Sequence, residues 1–161
     1  MRADDLYHCG LVVEDFDDEM AFLTDVVGHR WTDTIEVEQA VEIDGRVETV
    51  PLRLAFSLNE PRLELVQAVP NTLWTPSTSG LHHLGYWSDD IDDDIATLRG
   101  SHFIVEARGL TPEGDTLWAY CKGPIGPRIE LVNRVMQPVM ESFFGLRETH
   151  PARVDGDRPL S

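Results

Sequence analysis

The chain has 161 residues, 42% of them hydrophobic, 8% aromatic and 26% charged. This composition fits one domain able to bury a core and excludes a disordered or multidomain protein. Twenty-nine acids against 13 bases give a formal net charge of −16; such a field repels phosphate backbones and anionic lipid, which argues against nucleic-acid and membrane-surface partners. Cys9 and Cys121 make no disulfide framework or zinc knuckle. The acidic N-terminal stretch and the lack of an apolar run of about 18 residues predict a soluble, cytoplasmic protein.

In chain order, the first predicted strand carries His8, Gly10 and Val12 on one face and Cys9, Leu11 and Val13 on the other. An acidic cluster follows (Glu14, Asp15, Asp17, Asp18, Glu19), where a helix dipole favours negative charge. The helix is expected over Asp17 to Val27, with Met20, Phe22, Leu23 and Val26 as its apolar stripe and Gly28 as its stop. Asp44-Gly45 inside the β-rich run from Ile35 to Leu58 marks a long hairpin. Asn59-Glu60 then turns the chain into a last strand containing Pro61-Arg62-Leu63-Glu64-Leu65-Val66-Gln67.

The pattern then repeats. His83 to Ile95 aligns with His8 to Met20 at a constant offset of 75, and its acids at 89, 90, 92, 93 and 94 open a second helix from about Asp92 to Leu98. A shorter hairpin follows, from Phe103 to Cys121 with its turn at Pro112 to Asp115; then Pro127-Arg128-Ile129-Glu130-Leu131-Val132-Asn133 matches the earlier strand at an offset of 66. Each copy therefore reads strand, helix, three strands. Module one spans about 6–68 and module two about 81–134, in one domain over 1–135, and 136–161 is expected to be a short helix and a flexible tail.

An acid between two aliphatics, as Glu64 and Glu130 are, must face water on an edge strand or be compensated inside. Each copy supplies one His at the start of its first strand and one Glu in the middle of its last. If the copies pack about a pseudo-twofold axis with these faces inward, His8, Glu64, His83 and Glu130 form a two-His, two-carboxylate site for one divalent ion: Zn, Ni, Co, Mn or Fe. The repeat alignment selects His83 over its neighbour, and strand alternation sends His82 outward, where it either backs a ligand or lies on the surface.

The segments LYHCGLVVEDFD, PRLELVQ, GLHHLGYWSDDID and PRIELVN, within about residues 6 to 134, resemble the vicinal oxygen chelate superfamily, which includes glyoxalase I, methylmalonyl-CoA epimerase, ring-cleaving dioxygenases and bleomycin-resistance proteins. The resemblance implies an α+β fold in which two tandem βαβββ modules form a cupped, partly closed eight-stranded sheet around a metal, with ligands at His8, Glu64, His83 and Glu130. With both carboxylates present it points to an isomerase or epimerase that removes a proton next to a metal-coordinated carbonyl or thioester of a small carbonyl or acyl-CoA substrate. Glu130 is the implied base, Glu48 a second one, and Trp87 and Trp118 are candidate walls of an apolar substrate pocket. An Fe(II) ring-cleaving dioxygenase and a non-catalytic, resistance-type binding protein are the alternatives. Members of the superfamily are often dimers, so a homodimer with residues 136–161 as an arm over the partner is a further expectation.

Overall fold

The computed structural model describes residues 1–145; the expected flexible tail lies largely outside them. Eight strands close into a barrel. The first half contributes β1 (Leu6–Val13), α1 (Phe16–Phe22), β2 (Ile35–Ile43), β3 (Arg46–Phe56) and β4 (Leu63–Gln67). The second contributes β5 (His83–Ser88), α2 (Ile91–Gly100), β6 (Ile104–Leu110), β7 (Thr116–Lys122) and β8 (Arg128–Asn133), and α3 (Gln137–Phe143) follows. The order around the barrel is β1, β4, β3, β2, β6, β7, β8, β5. This is the α+β, two-module βαβββ architecture, with the sheet closed rather than partly open. No helix among the described residues is long and apolar enough to cross a membrane.

Both hairpins form. Asp44 and Gly45 take positive φ values of 50° and 73°, the conformation a two-residue hairpin loop needs. The β2–β3 ladder then pairs without interruption from Ile43↔Arg46 to Ile35↔Leu54.

The helices cover the outside of the sheet. Ile91, Ile95 and Leu98 of α2 pack on Ala119, Cys121 and Leu131, while Phe16, Met20 and Leu23 pack with Ala55 and Leu65. The first helix departs from the expected stripe. Phe16 begins it, and Phe22 and Val26 are exposed, because positions 16, 20 and 23 share one side of a helix that turns 22 and 26 away. Residues Leu23–Val27 widen into a π-turn that Gly28 ends at φ 87°. In α2, Gly100 is the last helical residue and the left-handed position falls on His102.

Most acids at the helix starts face water or surface arginines, including Asp17 with Arg53 and Asp92 with Arg108. Asp94 is different. It is buried and accepts a hydrogen bond from Ser88 Oγ at 2.6 Å.

Candidate metal centre

The alternation that puts Leu65 and Leu131 under the helices turns Glu64 and Glu130 into the barrel, where each is buried with 6% exposure. The edge-strand, solvent-facing alternative for these glutamates does not hold. β1 and β5 are antiparallel neighbours, with His8 opposite Gly85 and Gly10 opposite His83. β4 and β8 flank them in parallel, bringing Glu64 beside Gly10 and Glu130 beside Gly85. Each histidine ring lies over the other module's glycine: a Cβ at Gly10 would stand 1.8 Å from the His83 ring, and one at Gly85 would stand 1.9 Å from the His8 ring. The two His-x-Gly triplets are thus reciprocal. Each histidine needs a missing side chain on the partner strand.

The four side chains meet. His8 Nε2 is 3.0 Å from His83 Nε2 and 3.1 Å from Glu130 Oε2, and His83 Nε2 is 2.9 Å from Glu64 Oε2. The two remaining His–Glu contacts are 3.6 Å. Donors each about 2.1 Å from a common ion stand about 3.0 Å apart at a right angle and about 3.4 Å apart at the tetrahedral angle, so this spacing is compatible with four donors around one ion. Oε2 of Glu64 and Oε2 of Glu130 are buried without a hydrogen-bond partner. Each stands against a histidine Nε2 in the cluster. Two imidazoles and two carboxylates therefore fit a first-row divalent ion.

Burial opposes charge on His8, but the Glu130 and Glu64 carboxylates outweigh it and raise its pKa. Burial likewise works against the Glu64 carboxylate, and the adjacent His83 and His8 imidazoles lower its pKa nonetheless.

The cluster opens onto a cavity of about 170 Å³. Its walls are mostly apolar, with Leu52, Leu54, Phe56, Trp74 and Trp118 prominent, and Glu64 and Glu130 are the only carboxylates on them among the described residues. Tyr7 and Tyr120 also line it; burial first, and then the charges of Glu130 and Glu64, push both phenols well above their ordinary range, so they stay protonated. Met136 and Met140, from the segment after β8, close one side.

Trp118 is where a pocket wall was expected, but Trp87 is not among the cavity's lining residues. It stacks behind Tyr7 at 3.8 Å and borders a separate groove with Arg62 and Phe144. Nor does the structure bring Glu48 to the cluster. It lies on the inward face by alternation, with Val50 and Leu52, yet it pairs with Val41 close to the Asp44-Gly45 turn and is exposed.

His82 is not on the surface; it takes the other expected place, behind His83. It is buried with 1% exposure, its ring 2.9 Å from His83 Nδ1 and 3.0 Å from the Leu73 carbonyl. β5 begins only at His83, so strand alternation has no hold on the residue before it. Burial pushes the His82 pKa down to about 4. The paired histidines of GLHHLG were the signal for this contact, whereas Tyr7, Phe56, Trp74 and the two methionines had no motif of their own.

Residues 7–121 match the family model described as the Glyoxalase/Bleomycin resistance protein/Dioxygenase superfamily. The chain belongs to that superfamily. The match includes His8, Glu64 and His83 and stops before Glu130, which the structure supplies from β8. Among solved structures, a single-site variant of Streptomyces coelicolor methylmalonyl-CoA epimerase in complex with 2-nitronate-propionyl-CoA is 19% identical, with a TM-score of 0.56 over 80% of this chain and 96% of that one. A methylmalonyl-CoA epimerase in complex with methylmalonyl-CoA and NH4+ is also 19% identical, with a TM-score of 0.55 over 80% of this chain and 93% of that one. At these identities the likeness shows the superfamily fold. The search of curated proteins finds no match.

Proposed function

We propose that this member of the superfamily is a metal-dependent enzyme that moves a proton at the carbon next to the carbonyl of a compact, largely apolar substrate, as an isomerase or epimerase does. The observation that carries the reading is the buried cluster of His8, Glu64, His83 and Glu130 opening onto the apolar chamber. Zn, Ni, Co, Mn or Fe bound there would supply Lewis acidity toward a carbonyl oxygen.

The chain's own residues account for the rest. Glu64 and Glu130 approach from β4 and β8, on either side of the two histidine strands. One carboxylate can take a proton and the other return it, without Glu48. Glu130 is assigned as the first base. Tyr7 and Tyr120, held neutral, can donate to an oxygen that gains charge. The chamber is close to the roughly 150 Å³ of an apolar cavity that admits benzene and so suits a ring or a short acyl group. The acyl portion of a CoA thioester is one such group, consistent with the acyl-CoA ligands of the epimerase neighbours.

Deuterium exchange tests this. Zinc-loaded protein in deuterium oxide, given compact ketones, α-hydroxyketones and short acyl-CoA esters, is expected to label the carbon next to the carbonyl in at least one class. Ligands that quench the chamber tryptophans without exchanging any proton would overturn the reading in favour of a binding protein. Dioxygen consumption by the Fe(II)-loaded protein would overturn it in favour of an oxygenase.

A further inference from the structure

We infer that His82 is a positioning residue that fixes the tautomer and ring orientation of His83 by relaying a hydrogen-bond chain from the Leu73 carbonyl. The inference rests on the metal-site reading above and assigns the segment between the two modules a part in that site.

The chain of contacts has one consistent direction. A carbonyl oxygen only accepts, so the His82 nitrogen facing Leu73 O at 3.0 Å, Nε2, carries a hydrogen. An imidazole that offers Nε2 to an ion keeps its hydrogen on Nδ1, so in the 2.9 Å contact between the two Nδ1 atoms His83 donates and His82 accepts. His83 Nε2, the atom 2.9 Å from Glu64 Oε2 and 3.0 Å from His8 Nε2, is left with its lone pair free for an ion.

Both ends of the relay are fixed. The His82 backbone bonds to β1 through Gly10 O at 2.8 Å and accepts from Arg128 N at the start of β8 at 3.2 Å. The Leu73 carbonyl sits in a turn closed by Val69 N to Trp74 O at 2.9 Å and by Thr72 Oγ1 to Val69 O at 2.8 Å. His8 has no equivalent. Its Nδ1 is buried without a partner, so the pseudo-twofold ligand set is held unequally and His83 is its anchored member. An imidazole ligand whose far nitrogen is held in this way binds its metal more tightly, and removing such a partner typically costs about 10- to 100-fold in affinity.

The test combines zinc affinity with direct detection of the tautomer. Competition with a chelator is expected to show zinc binding about 10- to 100-fold weaker in His82→Phe, which lacks both ring nitrogens. His82→Gln, whose amide can still accept from His83 and donate to Leu73, is expected to recover most of the loss. In zinc-loaded wild-type protein, long-range 1H–15N correlation is expected to show His82 protonated on Nε2 and bare on Nδ1, a readout that does not require the variants to fold. His82 protonated on Nδ1, or His82→Phe binding zinc as tightly as wild type, would overturn the relay. Failure of wild-type protein to bind zinc at all would instead overturn the metal-site reading.

Discussion

Replacing Gly10 by alanine probes the site through a position that is not itself a ligand. A Cβ there would stand 1.8 Å from His83 Cε1, 2.1 Å from Nε2 and 2.2 Å from Nδ1. Ordinary contact begins at 3.4 Å, so the ring must retreat by roughly 1.6 Å, whereas coordination distances tolerate only about 0.2 Å. The ring has no easy retreat, since His82 and Tyr120 pack against it. Gly10→Ala is therefore expected to remove His83 from the ligand set and weaken divalent-ion binding by at least about 100-fold, beyond the range seen for an outer partner alone. The overpacking itself should cost the metal-free protein about 1–3 kcal/mol. Chelator competition measures the first quantity, and a denaturant melt without metal the second. Gly100→Ala is the control, because a Cβ there meets nothing within 4 Å. Zinc affinity of Gly10→Ala within threefold of wild type would refute the reciprocal arrangement of histidine over glycine.

Glu130→Gln should lower proton exchange by at least about 100-fold, a typical acid–base contribution, while the exposed Glu48→Gln should leave the rate within about twofold of wild type; deuterium incorporation followed by mass spectrometry separates them. Filling the chamber from its C-terminal side with Met140→Trp should weaken binding of a small aromatic ketone by about tenfold or more, seen as lost quenching of Trp74 and Trp118, whereas Met140→Ala should admit a larger one. Arg134 holds the Asp5 carboxyl below its ordinary range through a 2.7 Å hydrogen bond. The stability this contributes is complete above the unfolded carboxylate value of about 4 and is lost as pH falls through the lowered folded value. Asp5→Asn should therefore lower the melting temperature at neutral pH and flatten its decline below pH 4.

The four cluster residues were legible because a repeat doubles every landmark: a single histidine or a glutamate between aliphatics is ambiguous, but the same pair at matched positions in two copies is not. The Gly two residues after each histidine carried the same information, since its lack of a side chain makes room for the opposite ring. Glu48 has the right parity, but parity cannot show how far along the hairpin, toward its turn, a residue lies from the cluster. Trp87 has the right face too, yet it lies two residues past Gly85, where Tyr7 stands between it and the chamber. Alternation alone leaves His82 between the surface and a place behind His83, because it has no hold on a residue that precedes its strand. The chamber walls depend on closure of the sheet, which pairs β2 with β6 across the two modules; no local pattern encodes that contact. Met136 and Met140 reach the chamber from a segment outside both repeats.

The proposed function requires one divalent ion between His8, Glu64, His83 and Glu130. X-ray absorption at the zinc edge, on protein carrying one zinc per chain, tests it most directly. Two imidazole nitrogens and two carboxylate oxygens at about 2.0–2.2 Å are expected, with the signal lost in the His8→Ala, His83→Ala double variant. A sulfur ligand at about 2.3 Å, or the same zinc spectrum and stoichiometry in the double variant, would contradict it.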